Sequence, residues 1–143
     1  MNTQFIKAHM KWFVPAATLI TVAVFCIVPT SHARLSANTI DPQATITENG
    51  RHLIVTGPIQ GTEGERSYVR VTVTQRSTGA VAEGSAAFDL TGALERWEVQ
   101  ATTQGRAVFQ PGPATIVALA RTTSRGDTTD AHQWLVNVTL VNQ

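Results

Sequence analysis

Short segments in which apolar and polar residues alternate follow one another through residues 44–143. The clearest is 66–75, where Val69, Val71 and Val73 alternate with polar residues. This alternation indicates strands with one buried and one solvated face, because successive side chains of a strand point to opposite sides. No sustained run of apolar residues at helical spacing occurs in this part of the chain. The sequence therefore predicts an all-β domain.

Further strands are predicted, separated by turns rich in glycine, asparagine and proline, at 44–47, 52–56, 82–90, 95–102, 114–123 and 131–141. The 17 threonines and 11 valines from residue 34 onward support these strands, because β-branched side chains fit a pleated surface well. Trp97 and Trp134 follow the apolar parity of their strands and are predicted to lie in the core. Segment 114–123 is apolar on both faces, which predicts a central strand or one covered by another segment.

Seven or so strands at about ten-residue spacing, in about 110 residues, are typical of a two-sheet antiparallel sandwich of immunoglobulin-like type. This sandwich is the predicted architecture of the domain. A small closed barrel is the alternative architecture.

One motif precedes the predicted strand 114–123: Phe109-Gln110-Pro111-Gly112-Pro113-Ala114. It resembles the Pro-Gly corner before the penultimate strand of fibronectin-III-like and bacterial immunoglobulin-like modules. The resemblance implies a β-sandwich that binds, spaces or adheres outside the cell and carries no intrinsic chemistry. Fold alone does not fix function, so the residues must be considered individually.

The amino-terminal region has the organisation of an export signal. Residues 1–11 contain two lysines and no acid, and residues 12–28 are an apolar run without a charge. Small residues then stand at Ser31 and Ala33, which predicts a cleavable signal helix over 1–33 with cleavage after Ala33. An uncleaved membrane anchor is the alternative, and only that case gives the protein a membrane association. Residues 34–43 are predicted to be flexible, followed by the domain at 44–143, secreted or otherwise extracytoplasmic.

Charge and cysteine content narrow the classes of function. Both lysines, Lys7 and Lys11, precede the apolar run, and nine arginines face ten acids in the rest of the chain. Such a balance lacks the basic face that a nucleic-acid binder needs. The one cysteine, Cys26, lies within the predicted signal, so the exported domain has no disulfide and must depend on packing for stability.

Candidate chemistry is sparse. Asp130 and His132 share one face of the last predicted strand, and Ser124 lies in the hairpin before it, so a serine-hydrolase trio can be drawn. The ordinary interpretation is that the first two residues order the start of that strand. Glu63 and Glu65 are expected in a solvated loop. No metal-ligand spacing or phosphate-binding glycine loop is found, so we predict no metal, no cofactor and no catalytic residue.

A surface suited to binding is the remaining candidate. Tyr68, Arg70 and Thr72 share the wet face of strand 66–75, where the arginine can pair with acids or bind an anion. Arg125 and Asp127 flank Gly126 in the predicted hairpin, a tripeptide that also fits an ordinary turn. We therefore expect a non-enzymatic exported domain that binds an unknown protein or polysaccharide at the cell surface. The alternatives are a small secreted hydrolase using His132 and a subunit of a surface assembly.

Overall fold

A computed structural model describes residues 35–143, with the side chains of residues 37 and 38 left out. The predicted signal helix, the cleavage site after Ala33 and Cys26 all lie outside the described residues. None of the described residues forms a helix with the length and apolar character needed to cross a membrane.

The described chain is all-β, as the alternation predicts. Its strands are β1 (Ala37–Asn38), β2 (Gln43–Thr47), β3 (His52–Gln60), β4 (Arg66–Gln75), β5 (Ala80–Asp89), β6 (Glu95–Gln104), β7 (Gly112–Ser124) and β8 (Asp127–Asn142). A single 3₁₀ turn, Glu48–Gly50, is the helical element of this part of the chain. Asn49 has a φ of 54° there, the positive value that a tight turn through an Asn-Gly pair requires.

The strands close into one seven-stranded barrel, so the predicted two-sheet sandwich is wrong. Around the ring the order is β3, β2, β8, β7, β4, β5, β6, and β6 then pairs with β3. The closing ladder runs from His52↔Thr102 to Ile59↔Glu95. All of the ring's pairings are antiparallel except that of β2 with β8, which is parallel. A sheet whose first and last strands pair has one interior instead of two facing inner surfaces.

Small residues allow this closure. Gly84 lies in the middle of β5, and a Cβ there would stand 2.2 Å from the carbonyl oxygen of Gln100 on β6. A Cβ on Gly57 of β3 would likewise stand 2.8 Å from the Trp97 ring. Both glycines therefore permit backbone or ring approaches that any larger residue would prevent. Alanines at 80, 82, 101, 118 and 120 are fully buried and keep the interior narrow.

The barrel interior contains the side chains that the alternation assigned to it. Val69, Val71 and Val73 of β4 are buried, and Trp97 is only 1% exposed, as predicted. Trp134 is half-buried against this core, and its ring stacks on His132 with centroids 6.5 Å apart. Residues 35–143 contain no cysteine, so the fold is stabilised by packing of this largely aliphatic interior and not by a disulfide.

The first described residues are attached to the barrel. Leu35 and Ile40 are buried, and the backbone N–H of Leu35 donates to Asp130 Oδ2 of β8 at 3.0 Å. The N–H of Ser36 donates to the carbonyl of Gln60 at the end of β3. Through these hydrogen bonds the segment 34–43 is attached to both β3 and β8.

Candidate functional site

Three adjacent strands, β5, β4 and β7, present the clearest candidate site on the outer face of the barrel. Tyr68 of β4 lies opposite Ala87 of β5 on one side and Arg121 of β7 on the other. Arg70 lies opposite Ser85 and Leu119 in the same two ladders. Side chains that face each other across a ladder share one face of the sheet, so these residues form one continuous surface.

A groove of about 450 Å³ lies on this surface. We call it the Tyr68 groove, and its outer-face lining is Tyr68, Arg70, Ser85, Ala87, Leu119 and Arg121. The depression arises because small side chains on β5 stand beside long ones on β4. Its walls are the Tyr68 ring and Leu119, which are 37% and 46% exposed. Concave surfaces of this size that combine apolar walls with a few polar groups are typical of ligand sites.

Two guanidinium groups pack on the Tyr68 ring. The Arg121 guanidinium carbon is 5.1 Å from the ring centroid, and that of Arg66 is 5.8 Å away. Both distances are within the range of cation–π attraction. The ring therefore holds two long, flexible arginines near fixed positions on the sheet surface, which reduces the entropy that a ligand contact would cost.

The arginines differ in how their charges are balanced. Arg66 pairs with Asp89 at 3.0 Å, and Arg70 pairs with Glu83 at 3.2 Å. Among the described residues no carboxylate forms an ion pair with Arg121, whose partners across the two ladders are the uncharged Tyr68 and Ala131. Arg121 is therefore the cation of the Tyr68 groove whose charge remains unbalanced within residues 35–143.

The structure brings together only part of the predicted binding set. Tyr68 and Arg70 line the groove, whereas Thr72 lies further along the same face of β4, half-buried and outside the lining. Arg125 is exposed in the turn between β7 and β8, and Asp127 is exposed at the start of β8. Both Arg125 and Gly126 have positive φ, as a two-residue hairpin turn of type I′ requires. The positive φ values of Arg125 and Gly126 are therefore explained by the turn itself.

Sequence reasoning missed four of the lining residues, namely Ser85, Ala87, Leu119 and Arg121. Each belongs to a strand that becomes a neighbour of β4 only through the topology of the sheet. One signal for Leu119 was present, because segment 114–123 is apolar on both faces. β7 does lie between two neighbouring strands, but its outer face is uncovered at Leu119 within the described chain.

The hydrolase trio is not assembled among the described residues. His132 Nε2 lies 3.2 Å from Asp130 Oδ2, so two members are in contact. Ser124, however, lies opposite Asp127 at the hairpin turn, whereas the residue opposite His132 is Ala120. Asp130 also accepts the N–H of Leu35 and so orders the start of β8. Ser124 is therefore not aligned with this pair as a nucleophile.

The expectation of a solvated Glu65 is wrong. Glu65 is only 3% exposed, and its carboxylate accepts a hydrogen bond of 3.1 Å from the hydroxyl of Thr129. Thr129 in turn shares a 2.9 Å hydrogen bond with Thr122, which is fully buried. The buried carboxylate is thus hydrogen-bonded by Thr129 of β8, whose hydroxyl is itself bonded to Thr122 of β7. Within the described residues no group of three or more histidines, cysteines or acids forms a metal-binding cluster.

Comparison with known proteins gives no relative: the sequence matches no protein-family profile and no curated protein.

Proposed function

We propose that this protein is an exported, non-enzymatic binding module that holds its ligand in the Tyr68 groove. The observation that carries the proposal is the meeting, in one concave patch, of an exposed aromatic ring, an apolar wall and an arginine without a carboxylate partner among the described residues. Aromatic and arginine side chains are the groups that most often dominate binding surfaces.

The position of the groove supports this role. Its side chains project from paired strands, so the backbone beneath them is fixed by the ladders of β4 with β5 and with β7. Sites built on regular elements are more precisely positioned than sites on loops. Export follows from the charge and hydropathy pattern of residues 1–33. The ligand is therefore expected outside the cytoplasm, in the cell envelope or beyond it.

The proposal is tested by retention of the product purified from an export-competent cell on immobilised envelope and polysaccharide fractions of that cell. We expect retention of the wild-type protein and early elution of the Tyr68→Ala and Arg121→Gln variants. The matched control is Arg106→Gln, which removes an exposed arginine in the connection between β6 and β7. Wild-type protein that is not retained, or equal retention of all variants, would show that the groove does not bind the envelope or polysaccharide fractions.

A further inference from the structure

We infer that the Tyr68 groove takes a small amphipathic anion, in which a carboxylate or sulfonate head is attached to an apolar body. The inference rests on the proposed function, because it names the ligand class of that same groove. It is drawn from the charge balance of the lining, from the two guanidiniums on the Tyr68 ring and from the apolar wall beside them.

The anionic head is assigned to Arg121. Its guanidinium packs on the Tyr68 ring at 5.1 Å and has no ion-pair partner among the described carboxylates. The contact with the ring satisfies none of the guanidinium N–H groups with an oxygen, so they remain for an acceptor. Those N–H groups match the two oxygens of a carboxylate. The other two arginines nearby, Arg66 and Arg70, already donate to Asp89 and Glu83.

The apolar body is assigned to the side of the groove formed by Leu119 and Ala87. Leu119 is 46% exposed, so contact with a hydrocarbon chain would remove apolar surface from water. The lining offers few polar groups, with Ser85 and the Tyr68 hydroxyl beside the two arginines. An entirely polar ligand would leave the Leu119 wall without a partner.

Two other ligand classes fit less well. A neutral sugar usually stacks on an exposed aromatic face, but here two guanidiniums lie over the Tyr68 ring. A polyanion such as nucleic acid needs many unbalanced cations, whereas two of the three arginines around the ring are paired with acids. A ligand with a single anionic group and an apolar body would contact both Arg121 and the Leu119 wall of the groove.

Calorimetric titration of the exported product tests the inference with three probes that share one hydrocarbon chain: octanoate, octyl glucoside and octylammonium, each below its micelle-forming concentration. We expect octanoate to bind at least tenfold more tightly than the other two. Arg121→Gln should weaken octanoate binding by tenfold or more, Arg121→Lys should weaken it less, and Arg106→Gln should leave it unchanged. Thermal unfolding of each variant establishes that it remains folded.

Equal affinity for the three probes, no octanoate binding, or octanoate binding that is insensitive to Arg121→Gln would each overturn the ligand class. The retention experiment separates this failure from failure of the proposed function. If octanoate does not bind but Tyr68→Ala and Arg121→Gln still elute early from envelope fractions, the groove remains the binding site and the amphipathic anion is wrong. If octanoate binds as expected and retention does not change, the ligand class stands and the envelope-binding role is wrong.

Discussion

The two faces of β4 differ in what their side chains do. On the inner face, Val69, Val71 and Val73 are at most 1% exposed and contact only the barrel interior. On the outer face, Tyr68 and Arg70 line the groove and contact β5 and β7 through single side chains. The comparison shows that β4 stabilises the fold with one face and leaves the other face open, which is the face that we propose for binding. Changes to the interior should lower stability, and changes to the groove should lower affinity.

The largest expected effect is at the centre of the interior. Trp97→Ala should lower the free energy of unfolding by about 3–5 kcal/mol, because the ring is 1% exposed and its loss leaves a cavity against Gly57. Chemical denaturation of the protein purified from an export-competent cell measures this change. Trp97→Phe is the control and should cost less, because it retains an aromatic ring and removes a buried indole N–H that lacks a hydrogen-bond partner within the described residues. Similar losses for both variants would contradict this account of the core.

A second effect on the interior side concerns Gln75, the last residue of β4. Its buried amide donates to the carbonyl of Gln110 at 2.7 Å and accepts the N–H of Gln110 at 3.0 Å. Gln75→Leu should cost about 2–3 kcal/mol, because both backbone groups before the Pro-Gly corner lose their partner. Thermal and denaturant unfolding measure it. A change of a few tenths would mean that water replaces the amide at this corner.

Tyr68→Ala should show the opposite balance between stability and binding. We expect a loss of about 1 kcal/mol or less in unfolding free energy, since the ring lies on an exposed strand surface. Octanoate affinity should fall by tenfold or more, because the ring packs on Arg121, the proposed partner of the carboxylate. Parallel denaturation and calorimetry of one preparation give both values. A large loss of stability with unchanged octanoate affinity would contradict the assignment of this face to binding.

The smallest expected effect is that of Arg66→Gln. The ion pair with Asp89 joins two exposed side chains, 48% and 74% accessible, so its loss should cost about 0–1 kcal/mol. Octanoate binding should weaken by less than in Arg121→Gln, because Arg66 already donates to a carboxylate. Calorimetry at low and moderate salt measures the difference between the two variants. Equal losses of affinity for the two variants would place the anionic head between both arginines.

Much of the local structure could be predicted from the sequence. The alternation of 66–75 gives β4 with its exact bounds, and the Asn49-Gly50 pair gives a turn with positive φ. These features depend on side-chain periodicity and on backbone sterics within a few residues. The predicted core position of Trp97 follows from the same periodicity.

The closure of the barrel could not be predicted in this way. The alternation of apolar and polar residues shows which face of each strand is buried. A sandwich and a barrel are both compatible with that pattern. The choice depends on whether β3 pairs with β6, two strands separated by more than 30 residues in the chain. Gly57, which permits the close approach of β3 to the Trp97 ring of β6 at this seam, has no local signature that distinguishes it from a bulge glycine.

For the same reason, only part of the candidate site could be predicted from the sequence. Tyr68 and Arg70 lie on one strand face and could be paired by periodicity alone. Arg121 and Leu119 join them only because β7 is the neighbour of β4, although more than 50 residues separate Tyr68 from Arg121 in the chain. The burial of Glu65 likewise depends on hydroxyls from β7 and β8, which no local pattern indicates.

The most direct test of the central claim is a two-dimensional amide NMR titration, with octanoate, of isotope-labelled protein purified from an export-competent cell. The account predicts that shift changes cluster at residues 68–70, 85–87 and 119–121, that the signals of Val55 and Val99 in the closing ladder do not move, and that Arg121→Gln abolishes the cluster. Changes centred on another part of the barrel, or a cluster that persists in Arg121→Gln, would contradict the assignment of the Tyr68 groove as the ligand site.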